Sequence, residues 1–321
     1  MRGFLANTAT RKPLDFKLPA TIILTMNVQH VLDAWIKSRP HVGLRKSTIK
    51  QYEVICRDFC RHFGHRDPEQ LSPPDFRKWL GSMRDRMTNS TVSNRVKVIR
   101  SAFRWAQEEE LCPMPRMGGD FRRFRQSPPL KLTFDDKECQ ILLSNCCPSL
   151  FAGCLIGLNA GFGNVDCWAL RHHHISGDMV DMPRPKTGTE RRACLWPETV
   201  AALERAGLPL MGKHGPFPSP ESIGKAFRSL CVRSGIYQPK RTFYSLRRTY
   251  RTAVDEHLDR PAIDMTMGHT TPGMGRRYVA SISDDRLRVV SFFARKRLFR
   301  DAIPSAPKTE SARDSGMRMC V

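Results

Sequence analysis

Although the sequence contains 11 cysteines, none falls in a Cys-x-x-Cys pair. That spacing argues for neither a zinc ribbon nor a disulfide scaffold, so reduced thiols in a cytoplasmic protein are expected. Long membrane-type runs are missing too. Near the start, Ala20-Thr21-Ile22-Ile23-Leu24 is far too short to span a bilayer or to form a signal core, so neither a membrane segment nor a secretory leader is expected. No segment repeats at solenoid length. The last shortage is acid: 31 Asp+Glu stand against 53 Lys+Arg, a net charge of +22 and a pI near 10.0. Such a balance points to a polyanionic partner, because each neutralised phosphate releases counterions.

What is present suits two domains with their own cores: 321 residues, 40% of them apolar. Residues 1–26 read as a flexible arm, and 27–112 as a helical domain. Val28, Val31, Leu32 and Trp35 form one apolar stripe; Ile49, Tyr52, Ile55, Phe59 and Phe63 form a second, stopped by Gly64. Pro73-Asp75 opens a third helix with Phe76, Trp79 and Leu80 inward. Ser90 or Thr91 is the expected cap of a fourth, with Val96, Ile99, Phe103 and Trp105-Ala106 inward. Its other side carries Arg95, Lys97, Arg100 and Arg104 beside Trp105, a candidate DNA-facing surface. Residues 113–130 are rich in Pro and Gly and carry Arg116, Arg122, Arg123 and Arg125, which reads as a basic linker.

Residues 131–300 read as a mixed, mainly α domain, and 301–321 as a disordered tail. Thr133 is the expected cap of its first helix, with Asp136 three residues on. Two buried helices follow, the second ending at Gly161-Phe162-Gly163-Asn164. Met179 to Met182 and Ala193 to Trp196 read as strands joined across Lys186-Thr187-Gly188. Pro197 and Gly207 bracket one later helix, Pro220 and Gly235 another. In the last helix Leu287, Val290, Ala294 and Leu298 recur at helical spacing. Cys56, Cys60, His62 and His65 share a helix whose stripe is core, so they are read as packing rather than as zinc ligands, and no metal or cofactor is expected. His172-His173-His174 reads as a polar loop.

The chemistry concentrates between Thr242 and Tyr278. Tyr244 and Arg247 stand three residues apart on one helix face, Gly268 stops the next helix so that His269 emerges at its end, and Tyr278 lies nine residues further on. This order and spacing resemble the C-terminal pattern of the tyrosine recombinases of the phage-integrase family, and Lys186 in PRPKTG matches the family's hairpin lysine. The resemblance covers roughly Asn27 to Phe299 and implies a helical core-binding domain and a mixed α/β catalytic domain clamped on double-stranded DNA. It implies that Tyr278 attacks the scissile phosphate, leaving a 3′-phosphotyrosyl link and a 5′ hydroxyl. Arg247 would hold the non-bridging oxygens, Lys186 would protonate the leaving oxygen, and His269 and Tyr244 would donate hydrogen bonds. It also implies a homo-tetramer on two duplexes with the last helix packed against a neighbour, and work in integration or recombination of a mobile element.

Two positions depart from the family pattern. Tyr244 replaces a histidine, a mild change because a phenol also donates. Gly163 stands where the family's first arginine belongs, while Asp166 keeps the acidic position. Arg184 and Arg171 are candidate substitutes, as is Arg251, or the turn's own N–H groups could hold the anion. Arg248, beside Arg247, is a further DNA-facing candidate. Loss of that arginine keeps a second reading open, a catalytically impaired DNA-binding relative; a third is a monomeric nicking enzyme of the type IB topoisomerase kind.

Overall fold

A computed structural model describes residues 26–122, 132–207, 217–269, 281–299 and 303–305. Most of the expected arm, the linker beyond Arg122, most of the tail, and Tyr278 lie outside the described residues. The chain divides into two compact units, Met1–Pro129 and Leu130–Val321. Among the described residues no helix is long and apolar enough to cross a membrane.

The first unit is helical: α1 (Val28–Ser38), α2 (Lys46–Phe63), α3 (Pro73–Arg84), α4 (Asn89–Glu108) and α5 (Gly118–Arg122). Local chemistry sets the helix starts. Asp75 accepts from both the backbone N–H and the hydroxyl of Ser72, while Pro73 occupies the first helical position where its missing N–H costs nothing. Thr88 caps α4 by accepting from the Thr91 N–H, two residues ahead of the expected Ser90. Phe59 is the hub of the core, with its ring 4.9 Å from Trp79, 6.0 Å from Phe76 and 6.1 Å from Phe103. Burying a side chain of this size contributes about 1.5–3 kcal/mol. The stretch expected as linker begins inside this core. Met117 and Phe121 are buried there, with the Phe121 ring 4.7 Å from Phe76. Two apolar side chains outweigh the surrounding Pro, Gly and Arg, which is why α5 forms.

In the second unit α6 (Asp136–Ser144) is capped by Asp135, paired reciprocally with Glu138, rather than by Thr133. A two-carboxylate box satisfies two orphan N–H groups, which a lone Thr cannot. α7 (Pro148–Ala160) is buried on every side from Leu150 to Ala160 and forms the unit's axis. α8 (Asn164–Ala169) follows, then a three-stranded antiparallel sheet in the order β1 (Ile175–Ser176), β2 (Met179–Asp181), β3 (Arg192–Cys194). The expected hairpin is β2–β3, in register Val180 opposite Ala193; β1 was not anticipated, being only two residues. His172–His174 is a single 3-10 turn leading into it. Next come α9 (Pro197–Ala206), α10 (Pro220–Arg233), α11 (Tyr244–Ala253), α12 (Arg260–Met267) and α13 (Asp284–Leu298).

The stripe of α13 does not wait for a neighbour: Leu287, Val290, Ala294 and Leu298 are all buried in the core of their own unit. Salt bridges fasten the helix on several sides. Arg288 holds Asp178 at 3.0 Å, Arg286 holds Asp259 at 2.6 Å, Asp284 holds Arg192 at 2.9 Å, and Arg295 pairs with Glu198. Asn159, near the end of α7, ties the layers together. Its Nδ2 donates to Cys194 O and Ser291 Oγ, each at 3.0 Å, and its Oδ1 accepts from the Trp196 N–H at 2.7 Å.

Candidate phosphate site

Gly161 ends α7 with a left-handed φ of 65°. A Cβ there would lie 3.3 Å from the Tyr250 ring and 3.4 Å from Arg247 Cγ, so the bare backbone lets Arg247 pack close. The Arg247 side chain is buried, its Nη1 donating to Gly161 O and its Nη2 to Met267 O, each at 2.6 Å. Two main-chain acceptors thereby fix the guanidinium's orientation. Burial pulls the Arg247 pKa below the ordinary arginine value and the Arg184 charge adds to this, while Tyr244 and Asp166 oppose it.

α12 ends at Gly268, also left-handed at φ 59°, and His269 emerges beside Arg247, with Nη2 to Nε2 at 2.8 Å. The other ring nitrogen lies 3.7 Å from Asp264 Oδ1. Burial, then the Arg247 charge, lowers the His269 pKa against the pull of Asp264, which favours the neutral ring. A Cβ on Gly268 would sit 3.2 Å from the Cβ atoms of both Arg184 and Arg191. Only a glycine allows the base of the β2–β3 hairpin to approach this close.

That hairpin closes where the Arg184 N–H donates to Thr189 O at 2.7 Å and the Gly188 N–H returns to Arg184 O at 2.8 Å. Lys186 is exposed at its tip. Arg184 is half-buried, and among the described residues no carboxylate pairs with it. Its charge acts on both Arg247 and His269, so the structure draws Arg247, His269 and Arg184 into one cationic cluster. Arg171 is not part of it: its Nη1 donates back to Trp168 O at 2.7 Å and Leu170 O at 2.8 Å, closing the end of α8. Arg251 pairs outward with Asp255 at 2.6 Å.

Tyr244 begins α11 and is 42% exposed, with the Arg248 guanidinium 5.7 Å from its ring centre. Its ring covers Gly163, where a Cβ would lie 3.4 Å from Tyr244 Cδ2 and from Asp166 Oδ2. The φ of Gly163 is −100°, a conformation open to any residue, so neither backbone nor space demands glycine there. Asp166 Oδ2 accepts the Gly163 N–H at 2.7 Å.

The other oxygen of Asp166 faces a residue that sequence reasoning missed. Arg191 Nη1 lies 3.2 Å from Asp166 Oδ1, and the side chain is 0% exposed. Its Nε donates to Met182 O at 3.2 Å and its guanidinium carbon lies 3.7 Å from the centre of the Phe162 ring. Nη1 has the Asp166 carboxylate alone and Nη2 is buried without a hydrogen bond, an unsatisfied group costing about 1–3 kcal/mol. Burial brings its pKa down to about 10, still charged at neutral pH, with Asp166 opposing and Arg247 reinforcing the shift. Strand alternation was the available signal: Arg191 sits two residues before inward-facing Ala193.

On the first unit, Lys97 and Arg104 are exposed on α4. Arg95 is instead paired with Asp58 at 2.8 Å, which also accepts from the Trp79 Nε1 at 3.3 Å, so its charge is spent within the unit. Trp105 receives the Arg39 guanidinium, 5.7 Å from its centre. The side chain of Arg122, and all of Arg123, lie outside the described residues. Cys56 is buried and Cys60 half-buried, burial pushing both thiols up to about 12. Among the described residues no three His, Cys, Asp or Glu side chains converge as a metal site.

No family model and no curated protein matches this sequence. Solved structures do match it. The chain is similar to lambda integrase in a dimer bound to a COC′ core site, with 16% identity, a TM-score of 0.67, and coverage of 78% of this chain and 77% of the other. It is similar to lambda integrase in a tetramer bound to a Holliday junction at 14% identity and TM-score 0.67, over 80% of each chain. The Tn1549 transposon integrase in complex with circular intermediate DNA matches at 14% identity and TM-score 0.64, over 82% of this chain and 98% of the other. The chain therefore has the tyrosine-recombinase integrase fold, with a mainly α second unit built on a small antiparallel sheet.

Proposed function

We propose that the protein is a site-specific DNA recombinase or integrase that cuts and rejoins duplex DNA through a 3′-phosphotyrosyl intermediate. The observation that carries this reading is the convergence of Arg247, His269 and Arg184 beneath a hairpin tipped by Lys186. Three nitrogenous side chains gathered with little acid among them suit a phosphate.

In this reading the Tyr278 oxygen attacks phosphorus, a P–O(Tyr) bond forms and the P–O5′ bond breaks. Lys186 gives its proton to the departing 5′ oxygen, and the phenol's proton passes to a base. The neutral His269 ring can take that proton at Nε2 once DNA draws the Arg247 guanidinium off this nitrogen and onto the phosphate. Arg247 and Arg184 hold the non-bridging oxygens while charge builds on them, and Tyr244 donates from the entrance. The phosphotyrosyl link keeps the bond energy, so rejoining is the same step reversed and calls for no cofactor.

Double-stranded DNA is the partner on this reading, held by Lys97, Arg104, Arg122, Arg123 and Arg248, with Arg95 supporting α4 from within its ion pair. Four copies on two duplexes would complete an exchange, in keeping with integrases seen as a tetramer on a Holliday junction. Gly163 favours a second reading, a DNA-binding relative that has lost turnover, since one missing preorganised donor costs about a hundred- to a thousand-fold in rate. A nicked suicide duplex carrying the native flanking DNA separates the two. The recombinase gives a denaturation-resistant adduct that Tyr278→Phe abolishes; the binding protein gives none. An adduct without strand exchange between two duplexes would point to a nicking enzyme instead.

A further inference from the structure

We infer that Arg191 is a positioning residue of the phosphate site, a buried fixed charge that takes over the electrostatic part of the arginine absent at position 163. The inference rests on the recombinase reading and deepens it. Arg184, half-buried at the hairpin base, supplies contact; Arg191, behind it, supplies field.

Arg191 is built into the junction of the segments that carry the cluster. Its guanidinium stacks on Phe162, while Arg247 grips the carbonyl of the preceding Gly161, so the two cations flank one turn. Its Cβ and that of Arg184 both close on Gly268, the residue before His269. It also meets Asp166, whose second oxygen holds the Gly163 N–H. A cation therefore reaches the acidic residue near position 163 from just before β3 rather than from the start of the helix.

A purely structural ion pair does not explain the arrangement well. A buried guanidinium kept for packing would have its donors satisfied, yet Nη2 has no hydrogen bond and Nη1 only the Asp166 carboxylate, on a side chain with no exposed surface. Asp166 offsets at most one of the charges on Arg191, Arg247 and Arg184. The surplus is held where the dielectric is low and the charge cannot reorient. Such a charge acts most strongly on the additional negative charge of a phosphorane. The other sequence candidates do not fill the place: Arg171 turns back on its own helix and Arg251 turns to Asp255.

The test compares Arg191→Gln and Arg191→Lys with the wild type on two nicked suicide duplexes. One carries an ordinary scissile phosphodiester, the other a neutral methylphosphonate at that position. Arg191→Gln is expected to lose about a hundred-fold in adduct formation on the phosphodiester and less than about ten-fold on the methylphosphonate, whose phosphorane carries one negative charge fewer. Arg191→Lys keeps the charge and should recover part of the loss. Because Gly163 has open backbone geometry, Gly163→Arg added to Arg191→Gln should recover part of it as well. Arg191→Gln cleaving the phosphodiester within about three-fold of wild type would overturn the inference, as would equal losses on the two substrates in a variant with unchanged circular dichroism. Should Arg191→Gln fail to fold, the same comparison is made with Arg191→Lys: equal losses on both substrates reject the role, and a smaller loss on the methylphosphonate supports it. If the wild type itself forms no adduct, the recombinase reading falls and DNA binding decides about Arg191. A fall in the salt exponent of duplex binding for the Gln variant, smaller than the about 0.9 of a direct phosphate contact, keeps it as a phosphate-site cation; an unchanged exponent removes it.

Discussion

Arg247 Nη2 and His269 Nε2 lie 2.8 Å apart, and because a guanidinium can only donate, the histidine nitrogen there must be the acceptor. The ring proton then sits on Nδ1, on the side of Asp264. A protonated His269 would set an N–H against the guanidinium, so the contact itself selects the neutral ring. His174 is in a similar state: its Nδ1 accepts the Arg171 N–H at 3.0 Å, and its pKa is lowered by burial and then by His173 and Arg171.

A pH dependence follows from these two rings. Both hold a proton less readily in the folded chain than the ordinary value of about 6.5, so the unfolded chain binds more protons as pH falls below it. The histidine contribution to stability is full above about 6.5 and declines as pH falls through the lowered folded values. Urea midpoints measured downward from pH 7.5 should decrease in this window, and less so in the double variant His174→Gln, His269→Gln. An identical slope in both proteins would reject the assignment.

Arg184 and Arg248 flank the cluster differently, one at the base of the hairpin beside Gly268, the other against the Tyr244 ring. Arg184→Ala should reduce adduct formation by about a hundred-fold or more, whereas Arg248→Ala should cost less than about ten-fold. Equal losses would mean that neither is specific to the reacting phosphate.

Gly268 combines a φ of 59° with close Cβ neighbours on Arg184 and Arg191, in the connection between β2 and β3. Gly268→Ala therefore meets both left-handed strain and a clash with main-chain-proximal atoms that cannot swing away. A loss of about 1–3 kcal/mol in urea unfolding is expected, with adduct formation falling alongside it. A loss below about 0.5 kcal/mol would show that the hairpin base is not held there.

Asn159 is the polar exception in the otherwise apolar end of α7. Asn159→Leu is nearly isosteric but strands the Trp196 N–H and removes a donor from Cys194 O and Ser291 Oγ. Destabilisation of roughly 2–5 kcal/mol is expected in chemical denaturation. A neutral substitution would mean that water or Ser291 takes over all of these bonds.

Much of this site could be read before any coordinates, and the part that could not has physical reasons. The offset from Tyr244 to Arg247 and the position of His269 just after a helix-stopping glycine are local properties that sequence spacing expresses directly. The hairpin showed itself through Gly188 and alternating apolar residues. Arg191 did not, because a charge is read by default as surface, and its burial depends on Asp166 and Phe162, far away in sequence. Arg95 reads as available for DNA for the same reason; its partner Asp58 lies on α2, 37 residues earlier in the sequence. Met117 and Phe121 are hidden among residues that normally mark a linker, and only burial in the first unit's core, with Phe121 against Phe76, draws them in.

The salt-bridged seat of α13 has a consequence for the order of events during synthesis. The segments bearing Arg184, Arg191, Arg247 and His269 all leave the ribosome before this 15-residue helix does. Yet Leu287, Val290 and Ala294 complete the core on which β3 and α12 rest, and Asp284 and Arg288 fasten the sheet. A nascent chain therefore holds every described member of the cationic cluster without the core that aligns them. Alignment comes only once α13 has been made and has docked.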